Sequence, residues 1–319
     1  MECFGVPVVL FLFQRKEAAL RVLQRIAAVR PKKLYLLGDQ GRDEAERAHV
    51  AAVRAAVDAY VDANFNYGCE IIRDYAAENR GVYRNIGEGA LRVFEHEEQA
   101  VFLEDDNLPE VSFFWYCAEM LEKYKEDEKV LWVCGTNYLG DAGEGYSFTR
   151  HMLPCGWASW NTKFTKYYDG NFKLLKNPSV IKAIKNEFET GRLYKMISDR
   201  WKAELALIQE DKQPSSWDYQ MYLTLRYYGL LGVIPMKNQI RNIGVDEFSA
   251  HGGASMSNVM TRRYCGMSSY PLGALRGPVA VAPDKKLEKK LERIIVYPWW
   301  LRARIRLAPL VKKLLRKGR

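Results

Sequence analysis

The chain has 319 residues, 48% of them hydrophobic and 27% charged, and a net charge of +9, within the range of ordinary globular proteins. Thirteen Lys/Arg against two Glu from Lys285 onward give +11, so the remainder is near −2. A near-neutral body weakens the reading of a nucleic-acid binder, which prefers a basic face on its folded domain, and no apolar run reaches the roughly 18–20 residues of a membrane-spanning helix.

Val6–Phe13 is a continuous apolar run suited to a strand buried on both faces. It is too short for a membrane span, and no basic region precedes it, so it reads as a strand rather than a signal peptide. Lys16–Val29 has helical spacing and stops at Pro31. Lys33–Gly38 is a second strand, Asp43–Asp62 a second helix, Cys69–Arg73 a third strand and Asn85–Glu97 a third helix. Ala100–Leu103 is a fourth strand that runs into Glu104-Asp105-Asp106. Strands and helices alternating at this length predict a Rossmann-like, mostly parallel, doubly wound α/β sheet. In such a sheet Arg15, Asp39 and Asp106, each just after a strand, fall along the carboxyl edge where ligands gather.

The second half is less regular. Leu108–Lys125 is expected to be helical and Val130–Gly135 a strand, followed by loops rich in glycine and aromatics. Helices are expected over Ser179–Glu189, Leu193–Gln209 and Trp217–Tyr228, with a short strand at Leu230–Pro235. The divisions that result are a nucleotide-binding half (1–107), a helical acceptor-side half of the same domain (108–270), a Gly/Pro linker (271–284) and a basic amphipathic tail (285–319). Wound as a helix, the tail gathers Arg302, Arg306, Lys313, Arg316 and Lys317 on one side, after the pair Trp299-Trp300. Two readings stay open for it: a helix in an anionic membrane interface, or a terminal helix packed on its own domain. The membrane reading expects removal of 285–319 to leave the body folded. The six cysteines contain no C-x-x-C pair, which speaks against a zinc ribbon or a secreted disulfide framework and for a reducing cytoplasm.

Three adjacent carboxylates after a buried strand repel one another, and fixing them together calls for a cation. Their oxygens suit Mg²⁺ or Mn²⁺, which take remaining ligands from water and substrate phosphate. The same acids could instead cap the following helix. Asp39 in Gly38-Asp39-Gln40-Gly41 is either turn chemistry or an acceptor for a base or ribose. Arg15 and Arg84 could neutralise phosphate. Asp218, after Ser215-Ser216-Trp217, is either a helix cap or a base for an attacking hydroxyl. His251 lies in the glycine-rich segment Phe248-Ser249-Ala250-His251-Gly252-Gly253. No G-x-x-x-x-G-K-[ST], G-x-G-x-x-G, paired-histidine or G-x-S-x-G motif is present.

The order of these pieces, Phe13-Gln14-Arg15, Gly38-Asp39, Arg84-Asn85-Ile86, Leu103-Glu104-Asp105-Asp106, Leu153-Pro154-Cys155-Gly156-Trp157, Trp217-Asp218 and Ser249-Ala250-His251-Gly252, resembles the GT-A fold glycosyltransferases. More narrowly it is similar to bacterial nucleotide-sugar transferases related to N-acetylglucosaminyltransferase I. The resemblance spans roughly residues 6–253. It implies that Arg15 and Arg84 lie near the diphosphate or nucleotide and that Asp39 meets the base, usually uracil. Asp106 would be the metal ligand, with Glu104 and Asp105 on sugar or ribose and Asp218 as the catalytic base. Gly156, Trp157 and Trp217 would shape the sugar pocket, and the segment from Gly244 to His251 would close over the donor. The family's second aspartate after the base is Tyr219 here, which bears on the acceptor.

The reaction this resemblance implies is an inverting transfer from a nucleotide sugar, most readily a UDP-sugar, with Mn²⁺ or Mg²⁺ as cofactor. The acceptor would be a glycan or lipid-linked glycan for a cell-surface polysaccharide, with no nucleic-acid partner, made by a cytoplasmic enzyme peripheral to the inner membrane face. The alternatives are a sugar-1-phosphate nucleotidyltransferase, which normally carries a glycine-rich basic loop where Phe11–Lys16 has no glycine, and an inactive membrane-tethered binding protein on the same fold.

Overall fold

The structure, a computed structural model, describes residues 3–246, 255–304 and 307. An eight-stranded sheet has the order β3-β2-β1-β4-β8-β6-β9-β7. Its strands are β1 (Val8–Leu12), β2 (Lys33–Gly38), β3 (Glu70–Tyr75), β4 (Gln99–Glu104), β6 (Val130–Cys134), β7 (Asp141–Thr149), β8 (Trp157–Trp160) and β9 (Leu231–Lys237). All run the same way except β8, antiparallel to β4 and β6, and β7, antiparallel to β9. Two short strands, β5 (Asn107–Pro109) and β10 (Ile240–Asn242), pair antiparallel above it. This is the α/β, mostly parallel arrangement expected from the alternating pattern.

Strand β1 explains why the sheet is covered on both faces. All five of its residues are buried, and successive side chains point to opposite sides. Val9 and Phe11 join one apolar core, whereas Val8, Leu10 and Leu12 join the other. The second core is closed by the helices Lys16–Val29, Glu44–Asn64 and Val111–Lys123, and the first by Gly191–Gln209 and Asp218–Tyr228. A column of aromatics fills the first core: Phe102 stacks on Trp157 at 3.9 Å, Trp157 on Trp132 at 4.2 Å, and Trp217 lies 5.7 Å from Trp132.

The chain departs from the expected elements where long-range packing decides. The third helix begins at Gly81 and continues to Phe94 through one wider turn at Arg84–Glu88. The helix expected from Leu108 starts at Val111, because Asn107–Pro109 pairs with β10 instead. The loop region after β6 holds two further strands, β7 and β8.

Beyond Tyr270 the chain stays on the body. Arg276 O accepts from Tyr146 N at 3.0 Å, and Asp284 N donates to Phe148 O at 3.2 Å. The helix Lys285–Ile295 buries Leu287, Leu291 and Ile295 in the first core and leaves Lys285, Lys286, Lys289 and Lys290 exposed. The start of the expected tail is therefore a packed helix; Arg306 and 308–319 lie outside the described residues. Among the described residues no helix is long and apolar enough to cross a membrane.

Candidate active site

The chain winds outward from β1 through β2 to β3, then returns to place β4 on the other side of β1. A crevice opens at such a reversal, beyond the carboxyl ends of the two central strands. Arg15 follows β1 and Glu104-Asp105-Asp106 follow β4, so both border it.

The acids are held from several directions. Phe13 N donates to Asp105 Oδ2 at 3.1 Å, and Arg15 Nη1 lies 3.4 Å from Asp105 Oδ1 and 3.5 Å from Asp106 Oδ2. Arg15 Nε donates to Asp246 Oδ2 at 3.1 Å. Asn107 Nδ2 donates to Asp106 Oδ1 at 2.6 Å, while Asn107 Oδ1 accepts from Gly156 N at 2.8 Å. The segment after β10 passes over the cluster: Ile243 N donates to Asp106 O at 2.9 Å. A Cβ on Gly244 would lie 2.1 Å from Asp106 Oδ2, so only glycine fits there. Gly156, at φ +62°, has the same constraint against Ile240 Cδ1 at 2.5 Å.

The electrostatics are those of a cation-poor site. Burial, then the charges of Asp106, Asp105 and Asp218, hold Glu104 well above the usual carboxylate range. Burial, then Asp106, pushes Asp105 up to about 7. Burial also raises Asp106, against the pull of Arg15. Arg15 is raised even though burial acts downward, because Asp105, Asp106 and Asp246 outweigh it. Glu104 receives no hydrogen bond from the described residues. Three buried carboxylates this crowded, one of them without a donor among the described residues, suit a hard divalent ion.

Asp218 is the first residue of the helix Asp218–Tyr228, where the helix dipole favours a carboxylate. Ser216 Oγ donates to it. The turn before it is fixed by Glu204, buried on Gly191–Gln209, which accepts from Ser215 N at 2.6 Å, and by Trp201 Nε1, which donates to Tyr219 O at 2.9 Å. Asp218 acts on Glu104 and also on Cys155 and Tyr138, two groups that burial and nearby charge hold far up. Cys265 acts on both, and its own thiol is raised to about 11 by burial and then Asp106. Cys155 thus feels Glu104, Asp106 and Asp218 alike.

The other expected residues sit apart from this pair. Asp39 is buried and its carboxylate accepts from Gln40 N, Arg80 N, Gly81 N and Asn79 Nδ2 at 2.7–3.2 Å, so here it organises the loop after β3. Arg84 is half exposed and pairs with Glu88 at 3.7 Å. Trp157 and Trp217 are buried in the aromatic column rather than lining an open surface. His251 lies outside the described residues. Sequence reasoning gave no role to Asn107, Cys155, Cys265 or Asp246; only the Gly244–His251 loop pointed towards Asp246.

A second polar cluster offers ligand atoms within 4.8 Å of one another on His151, Glu189 and Glu288. Arginine has only donors, so the 3.2 Å contact from Arg226 Nη2 makes His151 Nδ1 an acceptor, and Nε2–H then faces Glu288 O at 3.3 Å. Burial, then Arg226, lowers this histidine to about 3. Arg150 Nε lies 3.5 Å from Glu288, and Arg226 Nη2 lies 3.6 Å from Glu189. Arg150 and Arg226 already pair with these carboxylates, and a divalent ion would have to compete with both.

No family model matches the chain, and no curated protein matches it. Solved structures similar to it include UDP-glucose pyrophosphorylase complexed with UDP-glucose, at 9% identity and a TM-score of 0.34, covering 75% of this chain and 94% of that one. Others are a 4-diphosphocytidyl-2C-methyl-D-erythritol synthase from Anaerococcus prevotii (9%, 0.30, 52% of this chain and 76% of that one) and a mannose-1-phosphate geranyltransferase from Thermus thermophilus (12%, 0.31, 74% and 75%). At these values the likeness adds nothing to the functional reading.

Proposed function

We propose that the chain is a metal-dependent, inverting glycosyltransferase that takes its sugar from a nucleotide-sugar donor, UDP-linked by preference. The observation that carries this reading is the buried, crowded acidic cluster at Glu104–Asp106 beside Arg15, with a helix-initiating carboxylate, Asp218, near enough to raise Glu104. Mn²⁺ or Mg²⁺ bound at Asp106 would neutralise the diphosphate leaving group. Arg15 contributes fixed positive charge beside it, held by Asp105 and Asp246. Asp218 takes the proton of the acceptor hydroxyl, whose oxygen forms the new bond to the anomeric carbon as the bond to the nucleoside diphosphate breaks on the opposite face. Ser216 and Glu204 keep Asp218 in place. Asp39 would meet the base only by exchanging one of its loop contacts.

A setting at an anionic membrane is supported by Trp299 and Trp300, exposed at 75% and 46%, beside the lysine face of Lys285–Ile295. Nucleotidyl transfer to a sugar phosphate is the second reading, since it needs the same metal-bound nucleotide. A panel of nucleotide sugars incubated with Mn²⁺ separates the two. Release of nucleoside diphosphate is the expected result. Diphosphate released only from a nucleoside triphosphate with a sugar 1-phosphate would establish the second reading instead.

A further inference from the structure

A cavity of about 360 Å³ lies where the C-terminal helix meets the body. Four arginines from four segments line it: Arg192 in the first turn of Gly191–Gln209, Arg263 on the helix Val259–Cys265, Arg293 in the last turn of Lys285–Ile295, and Arg302. The one acid in the lining, Glu292, accepts from Thr190 through Oε1 and keeps a buried Oε2 without a hydrogen-bond partner among the described residues, so four arginines face one carboxylate. Positive charge is therefore in excess, and the amino end of a long helix at Thr190 and Gly191 adds to it.

The arrangement is built rather than incidental. Arg263 Nη1 donates to the carbonyls of Arg293, Ile294 and Val296 at 3.3, 3.0 and 3.0 Å, and Tyr264 OH donates to Ile295 O at 3.1 Å. Arg302 Nε is buried and meets no acceptor among the described residues. A buried, unsatisfied guanidinium N–H is costly unless an anion completes it. Tyr297 and Trp299 supply an aromatic wall, and Trp299 reaches out to solvent beside Trp300.

The cavity is also a neighbour of the acceptor side. Tyr297 acts on the phenols of Tyr219, which follows Asp218, and of Tyr264. The helix Val259–Cys265 joins the two places: Arg263 lines the cavity, and the next residue, Tyr264, packs its ring 4.9 Å from that of Tyr138, on which Asp218 acts. We infer that this cavity holds the phosphate or diphosphate of a lipid-linked acceptor, with the lipid leaving past Trp299 and the glycan reaching towards Asp218. The inference rests on the glycosyl-transfer reading for the acceptor's role, but its binding test does not.

In metal-free buffer, a short-chain alkyl diphosphate and inorganic diphosphate are titrated into the full chain. The alkyl diphosphate should bind more tightly, and the double variant Arg192→Gln/Arg302→Gln should lose about tenfold or more of that affinity. Asp106→Ala should retain it, which separates this site from the donor site. Trp299→Ala, at an exposed position, should weaken the alkyl diphosphate several-fold and leave inorganic diphosphate unchanged. Equal affinity of the double variant and wild type, or loss of binding in Asp106→Ala, would overturn the site. Equal affinity for the two probes would overturn a lipid as its source.

Discussion

At the sheet edge Glu104, Asp105 and Asp106 share Arg15 with Asp246, whereas around His151 the carboxylates of Glu189 and Glu288 face Arg150 and Arg226. Both clusters bury charge, and both shift the groups within them. In the second, Arg150 and Arg226 give each of the carboxylates Glu187, Glu189 and Glu288 an arginine partner, and Thr149 and Arg150 N supply hydrogen bonds to Glu288. In the first, the single arginine Arg15 serves several acids, which burial holds up in pKa, and a bound cation is proposed to complete the assembly. The cluster whose acids are each matched by an arginine secures the fold; the other is the proposed site of chemistry.

The largest effect comes from taking the arginine-matched cluster apart. Ending the chain at Asp284 removes Glu288 from Arg150 and strips Leu287, Leu291 and Ile295 from the core. Burial of three such side chains alone amounts to about 5 kcal/mol or more, a large part of a domain's stability. The truncated chain should lack a cooperative melt, whereas a chain ending at Arg304 should keep one. This reverses the expectation that the body folds without residues 285–319.

Next in size is the sheet-edge cluster's partner. Asp218→Asn should retain donor binding and lose about 10²–10⁴ in turnover, as for a general base; near-normal turnover would remove it from that role. Gly244→Ala drives a Cβ towards Asp106 and should cost about 1–3 kcal/mol of stability, together with weaker metal binding. A melt and a metal titration equal to wild type would show that the segment over Asp106 adapts.

The smallest effect tests the histidine. His151 has its pKa lowered from 6.5 to about 3 when folded. The unfolded chain therefore binds a proton that the folded chain refuses between those values, and stability falls as pH drops through that window. There, His151→Gln should flatten the dependence of unfolding free energy on pH by about 1.4 kcal/mol per pH unit. Denaturant melts at pH 4.5 and 7 measure it, and an unchanged slope would contradict the buried neutral ring.

Much of the first half was legible because strands buried on both faces are written as unbroken apolar runs, as in Val8–Leu12 and Val101–Leu103. Strand β7 was not, since Asp141–Gly145 is polar and glycine-rich, pairs at Asp141 and then breaks register before Tyr146. The acids stood out as three charges after such a run. Their supports did not: Asp246 reaches Arg15 across 231 residues, and Asn107 reaches Gly156 across 49. The tail's basic spacing showed a charged face, but the opposite face, with Leu287 and Leu291, had a partner that only the fold reveals.

The central claim is that the sheet-edge acids are a cation and nucleotide site. Calorimetric titration of Mn²⁺ with UDP into wild type, Asp106→Ala and His151→Gln tests it most directly. The account predicts one binding event in wild type, its loss in Asp106→Ala, and its persistence in His151→Gln. Binding that survives Asp106→Ala but vanishes with His151→Gln would contradict it and move the metal to the other cluster.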